Sequence, residues 1–414
     1  MKKSVIDVVV IGAGAAGLMA AITAAKSGNK VLVLEHNEVA GKKILATGNG
    51  RCNFTNILQG EQYYRCESPD FVMSVLNQFG ALDTITFFQQ LGVMTVEKNG
   101  YYYPRTMQAS LVRESLLREC TRLGIQIIYG IGIRSIKKEN NVFLFDTKSG
   151  LYYSKSCVLA TGGKADPKSG SDGSGYIYAK QLGHSVTTTV PALVPLVCEG
   201  EWLKEVKGVR QEARVTIFVD KQPKFSDWGE VQFTDYGVSG IPVFQISRFA
   251  TRALAENKGV SVEIDFLPDL SKDDLIDWLR KQIQNYRNHS TIVEVMAGMV
   301  NHKLASALSK KIAFSNQYFG ALSEKQMQML ITQAVAVLKE TKLRVIDSKN
   351  FLQAQVTCGG VVVDEIFQGT MESKLVNGLF FAGEIVDVDG MCGGYNLQWA
   401  WSSGYVAGTH ANKR

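Results

Sequence analysis

An unbroken aliphatic run, Val8-Val9-Val10-Ile11, passes directly into Gly12-Ala13-Gly14-Ala15-Ala16-Gly17. That order commits the start of the chain to a buried strand, a tight turn and a helix, since continuous β-branched runs suit strands covered on both faces. Far along the chain, Gly378-Leu379-Phe380-Phe381-Ala382-Gly383-Glu384 reads as a second apolar strand that ends in glycine and an acid. Two such elements bracketing a chain predict one nucleotide-binding domain whose sequence is interrupted by insertions.

The G-x-G-x-x-G spacing assigns a task to each glycine. Gly12 permits the turn, Gly14 lets the backbone approach a pyrophosphate, and Gly17 lets the helix pack closely, with Ala15 and Ala16 opening that helix. A diphosphate at a helix N-terminus meets free N–H groups and the positive end of the helix dipole. The strand Val31-Leu32-Val33-Leu34 ends at Glu35, where a carboxylate can accept from both ribose hydroxyls of an adenosine. Glu35 disfavours a 2′-phosphate, so NADP is not expected here, and His36 is expected to flank the adenosine pocket.

Three further stretches look ligand-directed. Gly41 to Asn56 holds Lys42, Lys43, Thr47, Gly48, Asn49, Gly50, Arg51, Cys52 and Asn53, a loop suited to wrap a phosphate-bearing ligand; a solvated Gly/Asn/Thr loop is the plain alternative. Ala160-Thr161-Gly162-Gly163 follows an apolar strand, and its small residues permit close backbone approach. After Gly383 and Glu384, the segment Cys392-Gly393-Gly394-Tyr395-Asn396 runs into a helix. Glycine N–H groups at that helix start, aimed at the N1/O2 edge of an isoalloxazine, would stabilise the negative charge of reduced flavin.

Composition narrows the class. With 414 residues, 45% hydrophobic, 20% charged and 39 glycines, the chain is a globular α/β protein of two or three domains. A net charge of +6 without a dense Lys/Arg block gives no nucleic-acid signature. Seven cysteines are scattered without a Cys-x-x-Cys pair, which argues against disulfides, a zinc site or a dithiol centre and for a reducing cytoplasm. No metal site is expected. Lys2-Lys3 ahead of an apolar stretch resembles a leader, but Asp7 and the glycine spacing oppose that reading, and no long uncharged apolar run predicts a membrane span. The sequence sets no oligomeric state.

Along the chain, helices are expected over 69–92 and 106–124, and strands over Ile125–Tyr129, Ile131–Lys137, Asn141–Asp146, Leu151–Ser154 and Ser156–Leu159. From about 191 to 267 the chain reads as short strands, Glu212–Val219, Glu230–Phe233 and Val260–Phe266, of a small β domain. Ser271 is the expected N-cap, with Asp274 at the third position of a helix-rich region to 340, and Leu343–Asp347 is a strand returning to the β domain.

The stretches Gly41–Asn56, Ala160–Gly163, Thr357-Cys358-Gly359-Gly360-Val361 and Gly383–Ala400 together resemble a three-domain bacterial flavoprotein family, described as aminoacetone oxidase-like or BaiN-like bile-acid reductases. The resemblance covers about half the chain. It implies a Rossmann-like FAD-binding domain of the glutathione-reductase type (1–190 and 352–414), an inserted β-barrel-like substrate domain (191–267 and 341–351) and a small helical domain (268–340). It also implies FAD as cofactor without a second nicotinamide domain, held by Gly12, Gly14, Gly17, Glu35, Lys42, Lys43, Arg51, Asn53, Gly162, Gly383, Glu384, Gly394 and Asn396.

The reaction expected first is reduction of an activated C=C bond in a small organic substrate of the 3-oxo bile acid or steroid type, by hydride transfer from flavin N5, with NADH or NADPH as diffusible reductant. Tyr236, in Phe233-Thr234-Asp235-Tyr236-Gly237, is the candidate proton donor. A small-amine oxidase that forms peroxide is the second reading, and a non-catalytic flavin sensor the third. Cys52 and Cys392 lie in cofactor-type loops, but without a partner thiol a redox role is outweighed by simple packing. Tyr101-Tyr102-Tyr103 reads as a hairpin surface more readily than as a pocket cover.

Overall fold

The computed structural model describes residues 5–411; Lys2 and Lys3, on which the leader reading rests, lie outside the described residues. The chain divides into two compact units, Met1–Thr189 with Gln355–Arg414, and Val190–Ala354.

The first unit is built on a sheet in the order Gln126–Ile128, Val31–Leu34, Ile6–Ile11, Gly150–Leu159, Val142–Thr147, Ile133–Glu139, with Leu379–Phe381 also paired to Gly150–Leu159. Val8, Val9 and Val10 are fully buried, as a strand covered on both faces requires. Gly150–Leu159 is one continuous strand where two were expected. Its first half, 150–154, pairs antiparallel with Val142–Thr147. Its second half, 157–159, pairs parallel with Leu379–Phe381. The polar Ser154-Lys155-Ser156 stretch looks like a break in sequence, but it marks the place where the partner strand changes.

The ends of the described chain meet through two helices. Ala15–Lys26 and Tyr395–His410 approach so closely that a Cβ on Gly404 would sit 2.5 Å from the Ala16 carbonyl oxygen, and one on Gly408 would sit 2.4 Å from that of Ala20. The expected helix 69–92 is in fact two helices, Pro69–Leu76 and Ala81–Gln90. Gly80 separates them, and its N–H donates to Asp83 Oδ2 at 2.8 Å, capping the second helix. Pro69–Gln90 reaches the hydropathy of a membrane span, but 56% of that apolar window is buried inside the protein, as in a core helix pair.

The second unit is a closed barrel of Leu196–Cys198, Gly237–Ser239, Gln222–Thr234, Arg210–Val219, Val260–Asp265 and Thr341–Ser348. Leu196–Cys198 closes it by pairing with strands on both sides. Ala213, Val215, Ile217 and Val219 alternate inward along one strand. Within the stretch read as strands, Ile241–Ala255 is a helix whose buried Val243, Ile246, Ala250 and Ala253 recur every three or four residues. The helices Lys272–Asn285, Ile292–Ala297, His302–Ser309 and Glu324–Lys339 share one hydrophobic cluster with the barrel, so barrel and helices form a single compact body. Ser271 caps the first of these helices, its Oγ accepting from Asp274 N at 3.1 Å.

Candidate active site

Four parallel strands of the first unit end together. Ile11 is in register with Leu34 and with Leu159, and Leu159 with Phe381. Their carboxyl ends therefore deliver Gly12, Glu35, Ala160 and Ala382 to one edge of the sheet, the place where ligands bind in open α/β folds.

The three glycines of the first turn differ in what surrounds them. Gly12, at φ +97°, has no room for a side chain: a Cβ would lie 2.6 Å from the Ala160 carbonyl oxygen. A Cβ on Gly17 would lie 1.9 Å from the Gly12 oxygen. A Cβ on Gly14 would meet nothing within 4 Å, leaving that face of the turn open to a ligand. Ala15 and Ala16 begin the helix behind it, and a Cβ on Gly383 would meet Ala16 Cβ at 2.8 Å, so the two terminal motifs touch.

Glu35 is buried, and its Oε2 accepts from Ala13 N at 2.6 Å while Oε1 accepts from Asn37 N at 2.8 Å and Asn37 Nδ2 at 2.9 Å. With about four lone-pair positions on a carboxylate, three such bonds leave room for one further donor rather than two. His36 lies beside it, Nδ1 3.5 Å from Glu35 Oε1.

The Gly41–Asn56 loop is tied to the glycine turn by Gly41 N donating to Ala13 O at 2.8 Å. Thr47 Oγ1 donates back to Ile44 O at 2.6 Å. Gly48 and Asn49 are both left-handed, φ +56° and +54°, and Gly50 and Cys52 follow at +82° and +57°. Lys42 and Arg51 are exposed, whereas Cys52 is fully buried. Burial pushes the Cys52 thiol up to about 12, with Thr47 opposing, the reverse of what a reactive thiol requires. Cys392 is half-buried. Asn53 Oδ1 is buried with no hydrogen-bond partner, and a Cβ on Gly394 would come within 2.9 Å of it.

Glu384 gathers three distant segments. Lys43 Nζ donates to its Oε2 at 2.7 Å, and Thr357 N donates to its Oε1 at 2.7 Å. Thr357 Oγ1 in turn accepts from Lys164 N at 2.8 Å and Ala165 N at 3.0 Å, holding the chain just after Ala160-Thr161-Gly162-Gly163. A Cβ on Gly163 would lie 2.4 Å from Thr357 Oγ1. Gly393 and Gly394, at φ +121° and +95°, precede the helix that starts at Tyr395. The Asn396 amide is spent on bracing that turn, with Oδ1 accepting from Gly390 N and Nδ2 donating to Gly390 O, both at 2.8 Å.

Three residues that the sequence did not single out complete the surroundings. Arg113 packs its side chain against Gly41, and its Nε is buried without a partner. The Tyr176 hydroxyl is also buried and unpartnered; burial holds its phenol well above the usual range, reinforced by Glu384, Asp387 and Cys358. Thr357, which in sequence is only one member of the Thr357–Val361 stretch, is the third. Tyr236 lies in the second unit, its ring under Lys349 Nζ at 3.6 Å. A cleft of about 620 Å³ in that unit is lined by Val190, Pro191, Thr251, Leu254 and Ile346 among others, and by none of the predicted site residues.

The open backbone at Gly14, the anion-favouring helix start, the buried carboxylate at Glu35 and the orphaned Asn53 Oδ1 fit a dinucleotide whose diphosphate, ribose and polar ring each need a partner. Gly12–Gly17, Glu35, Lys43, Asn53, Gly162–Gly163, Glu384 and Gly393–Gly394 would hold FAD, which when bound supplies two-electron transfer. This fold and cradle define a Rossmann-type, FAD-binding oxidoreductase.

More narrowly, the chain belongs to the HI0933-like family: the model described as "HI0933-like protein Rossmann domain" matches residues 6–410. It is 40% identical over 410 residues to a 3-dehydro-bile acid delta(4,6)-reductase of Clostridium scindens, covering 98% of each chain. It is 31% identical over 407 residues to a ribosomal RNA dihydrouridine synthase of Escherichia coli, covering 97% of this chain and 96% of that one. Among solved structures, a 3-ketosteroid-delta4-(5alpha)-dehydrogenase of Rhodococcus jostii aligns at 16% identity over 100% of this chain and 98% of that one, with a TM-score of 0.46. At that level nothing about this chain's chemistry follows from it.

Proposed function

We propose that this protein reduces a C=C bond conjugated to a carbonyl in a small ring substrate of the 3-oxo steroid type, with FAD as electron carrier and NADH or NADPH as diffusible reductant. One NAD(P)H and one proton are consumed, and the two hydrogens are added across the double bond. The observation that carries the reading is the 40% identity, along essentially the whole chain, to a protein named for reducing such bonds. The second relative's name implies the same chemistry, since dihydrouridine is uridine with its ring C=C, conjugated to a carbonyl, saturated. No observation on this chain favours the amine-oxidase or sensor readings.

In this reading Lys43 and Thr357 fix Glu384 in the cofactor cradle, Gly14 leaves room for the diphosphate, and Tyr236 is the proton donor, its ring held by the Lys349 ammonium. The test is anaerobic mixing of the holoprotein with NADH and with NADPH, followed by a 3-oxo-Δ4 steroid. Bleaching of the flavin band by at least one nicotinamide and its recovery on adding the steroid is the expected result. A flavin that neither nicotinamide bleaches removes the proposal. Tyr236→Phe should slow the recovery and leave the bleaching unchanged.

A further inference from the structure

The tyrosines near the Gly393–Gly394 turn are not used by the cofactor cradle described above. The hairpin Thr95–Lys98/Tyr101–Pro104 is laid onto Thr55–Asn56 by antiparallel pairing. Strand alternation puts Tyr101 and Tyr103 on one face. The Tyr101 ring reaches the glycine turn: a Cβ on Gly393 would be 2.7 Å from Tyr101 Cε1 and 3.4 Å from Tyr395 Cε2. Tyr395 is fixed from the other side by Tyr63, stacked at 4.6 Å and 7°. Asn56 Nδ2 donates to Gly393 O at 3.2 Å, which locks hairpin base and turn together.

Tyr395 belongs to the core, at 3% exposure, whereas Tyr101 stands at its edge, 37% exposed. Arg51 lies two residues before Asn53 and four before the Thr55–Asn56 strand on which the hairpin is laid, and burial raises the Tyr103 phenol, with Tyr101 adding to the rise and Arg51 opposing it. Arg51, which the resemblance offers as an FAD contact, is exposed, and among the described residues its guanidinium makes no hydrogen bond or ion pair. Asn53, two residues on, carries the buried, unpartnered Oδ1 beside Gly394. Aromatic faces next to an unpaired arginine suit a flat ring that carries negative charge. An uncharged ligand would gain little from the arginine, and a cation would be repelled by it.

We infer that Tyr101 and Tyr103 form the platform for the substrate ring, taking a planar, carbonyl-conjugated ring that bears an anionic group, with Arg51 at its margin to meet the anion. This rests on the reductase reading and adds to it the residues that select the substrate. A nucleotide phosphate and a steroid carboxylate share the required chemistry, so the probes are uridine 5′-monophosphate and a 3-oxo-Δ4 steroid carboxylic acid, with inorganic phosphate as control.

Binding of each probe to the holoprotein is measured by equilibrium dialysis for the wild type, Tyr101→Leu, Tyr103→Leu and Tyr101→Phe. Loss of one aromatic face should weaken the preferred probe by about 10- to 100-fold, the range for a single ring–base stacking contact. Tyr101→Phe should stay within about threefold of wild type because it keeps the ring. FAD content should be unchanged in all variants. Tyr103→Leu serves alone if Tyr101→Leu does not fold. The inference is overturned by wild-type affinity in the leucine variants, by loss of FAD together with the probe, or by failure of the wild type to bind either probe. Bleaching by nicotinamide, recorded on the same wild-type sample, judges the reductase reading separately: a wild type that turns over while the leucine variants bind normally sinks only the platform.

Discussion

Lys43 Nζ and Glu384 Oε2 are 2.7 Å apart although 341 positions separate them in the chain. The opposite carboxylate oxygen is held by Thr357 N, so one side chain fixes the lysine loop, the Thr357 segment and the end of the Leu379–Phe381 strand. Glu384→Ala leaves an ammonium and a backbone N–H without their acceptor, and the cradle should loosen. FAD affinity, followed by flavin fluorescence on titration of the apoprotein, should fall by about tenfold or more, equivalent to about 1.4 kcal/mol. Glu384→Gln should recover part of that loss, because its amide oxygen can still accept from Thr357 N. Equal affinity for wild type and Glu384→Ala would show that the pair does not shape the cofactor site.

The glycines of the first turn give opposite expectations for stability and for binding. Gly14 has φ −80° and ψ −169° and open space around it, so Gly14→Val should fold with stability within about 0.5 kcal/mol of wild type. Its side chain would occupy the room left for the diphosphate, and the purified variant should be colourless. Gly17→Ala forces a methyl against the Gly12 carbonyl and should cost about 1–3 kcal/mol in denaturant unfolding. A yellow Gly14→Val protein would contradict the assignment of the open face.

What could be read from sequence divides along physical lines. Ile6–Ile11, Val31–Leu34 and Leu379–Phe381 are legible because each is a short, mostly apolar run with a glycine or an acid within two residues of its end, a local pattern. The helix Ile241–Ala255 is not, because Ile241, Val243, Phe244 and Ile246 carry strand propensity and only packing on the barrel decides for helix. The fork in Gly150–Leu159 was hidden since a change of partner leaves no local mark beyond polar residues. At the site, the glycines and Glu35 announced themselves, whereas Thr357, Arg113 and Tyr176 depend on contacts between segments far apart in the chain. Asn396 shows a contact that its place in sequence does not reveal: it follows two glycines and reads as ligand-directed, and its side-chain amide bonds to Gly390 within its own turn.

Cys52 provides a test of chemistry at the cofactor loop. Its thiol is fully buried and pushed up to about 12, so at pH 8 only about one molecule in ten thousand carries the thiolate. Iodoacetamide at that pH should leave Cys52 unlabelled in the native protein and label it in denaturant, read by peptide mass spectrometry. Cys52→Ala should keep nicotinamide-driven bleaching of the flavin. Rapid native labelling, or loss of bleaching in the variant, would restore a redox role for this thiol.

His184 provides the pH test of stability. Its ring is buried, with Nδ1 3.0 Å from Glu365 Oε2 and Nε2 2.7 Å from Ser373 Oγ. Burial holds it below the usual imidazole range against the pull of Glu365. Burial works to raise Glu365, but Ser185 and His184 outweigh it and hold that carboxylate low. A histidine depressed in the folded state is protonated first in the unfolded chain. Its stabilising contribution is therefore complete above the unfolded value of about 6.5 and falls as pH drops from there through the folded value. The Glu365 contribution is present above the unfolded carboxylate value of about 4.3 and disappears only below it. Urea unfolding between pH 7.5 and 5 should show wild-type stability declining below about pH 6.5, and the decline should be shallower in His184→Gln, which has no group titrating at this position. Parallel pH profiles for the two proteins would mean that the His184 ring does not set the acid sensitivity of this unit.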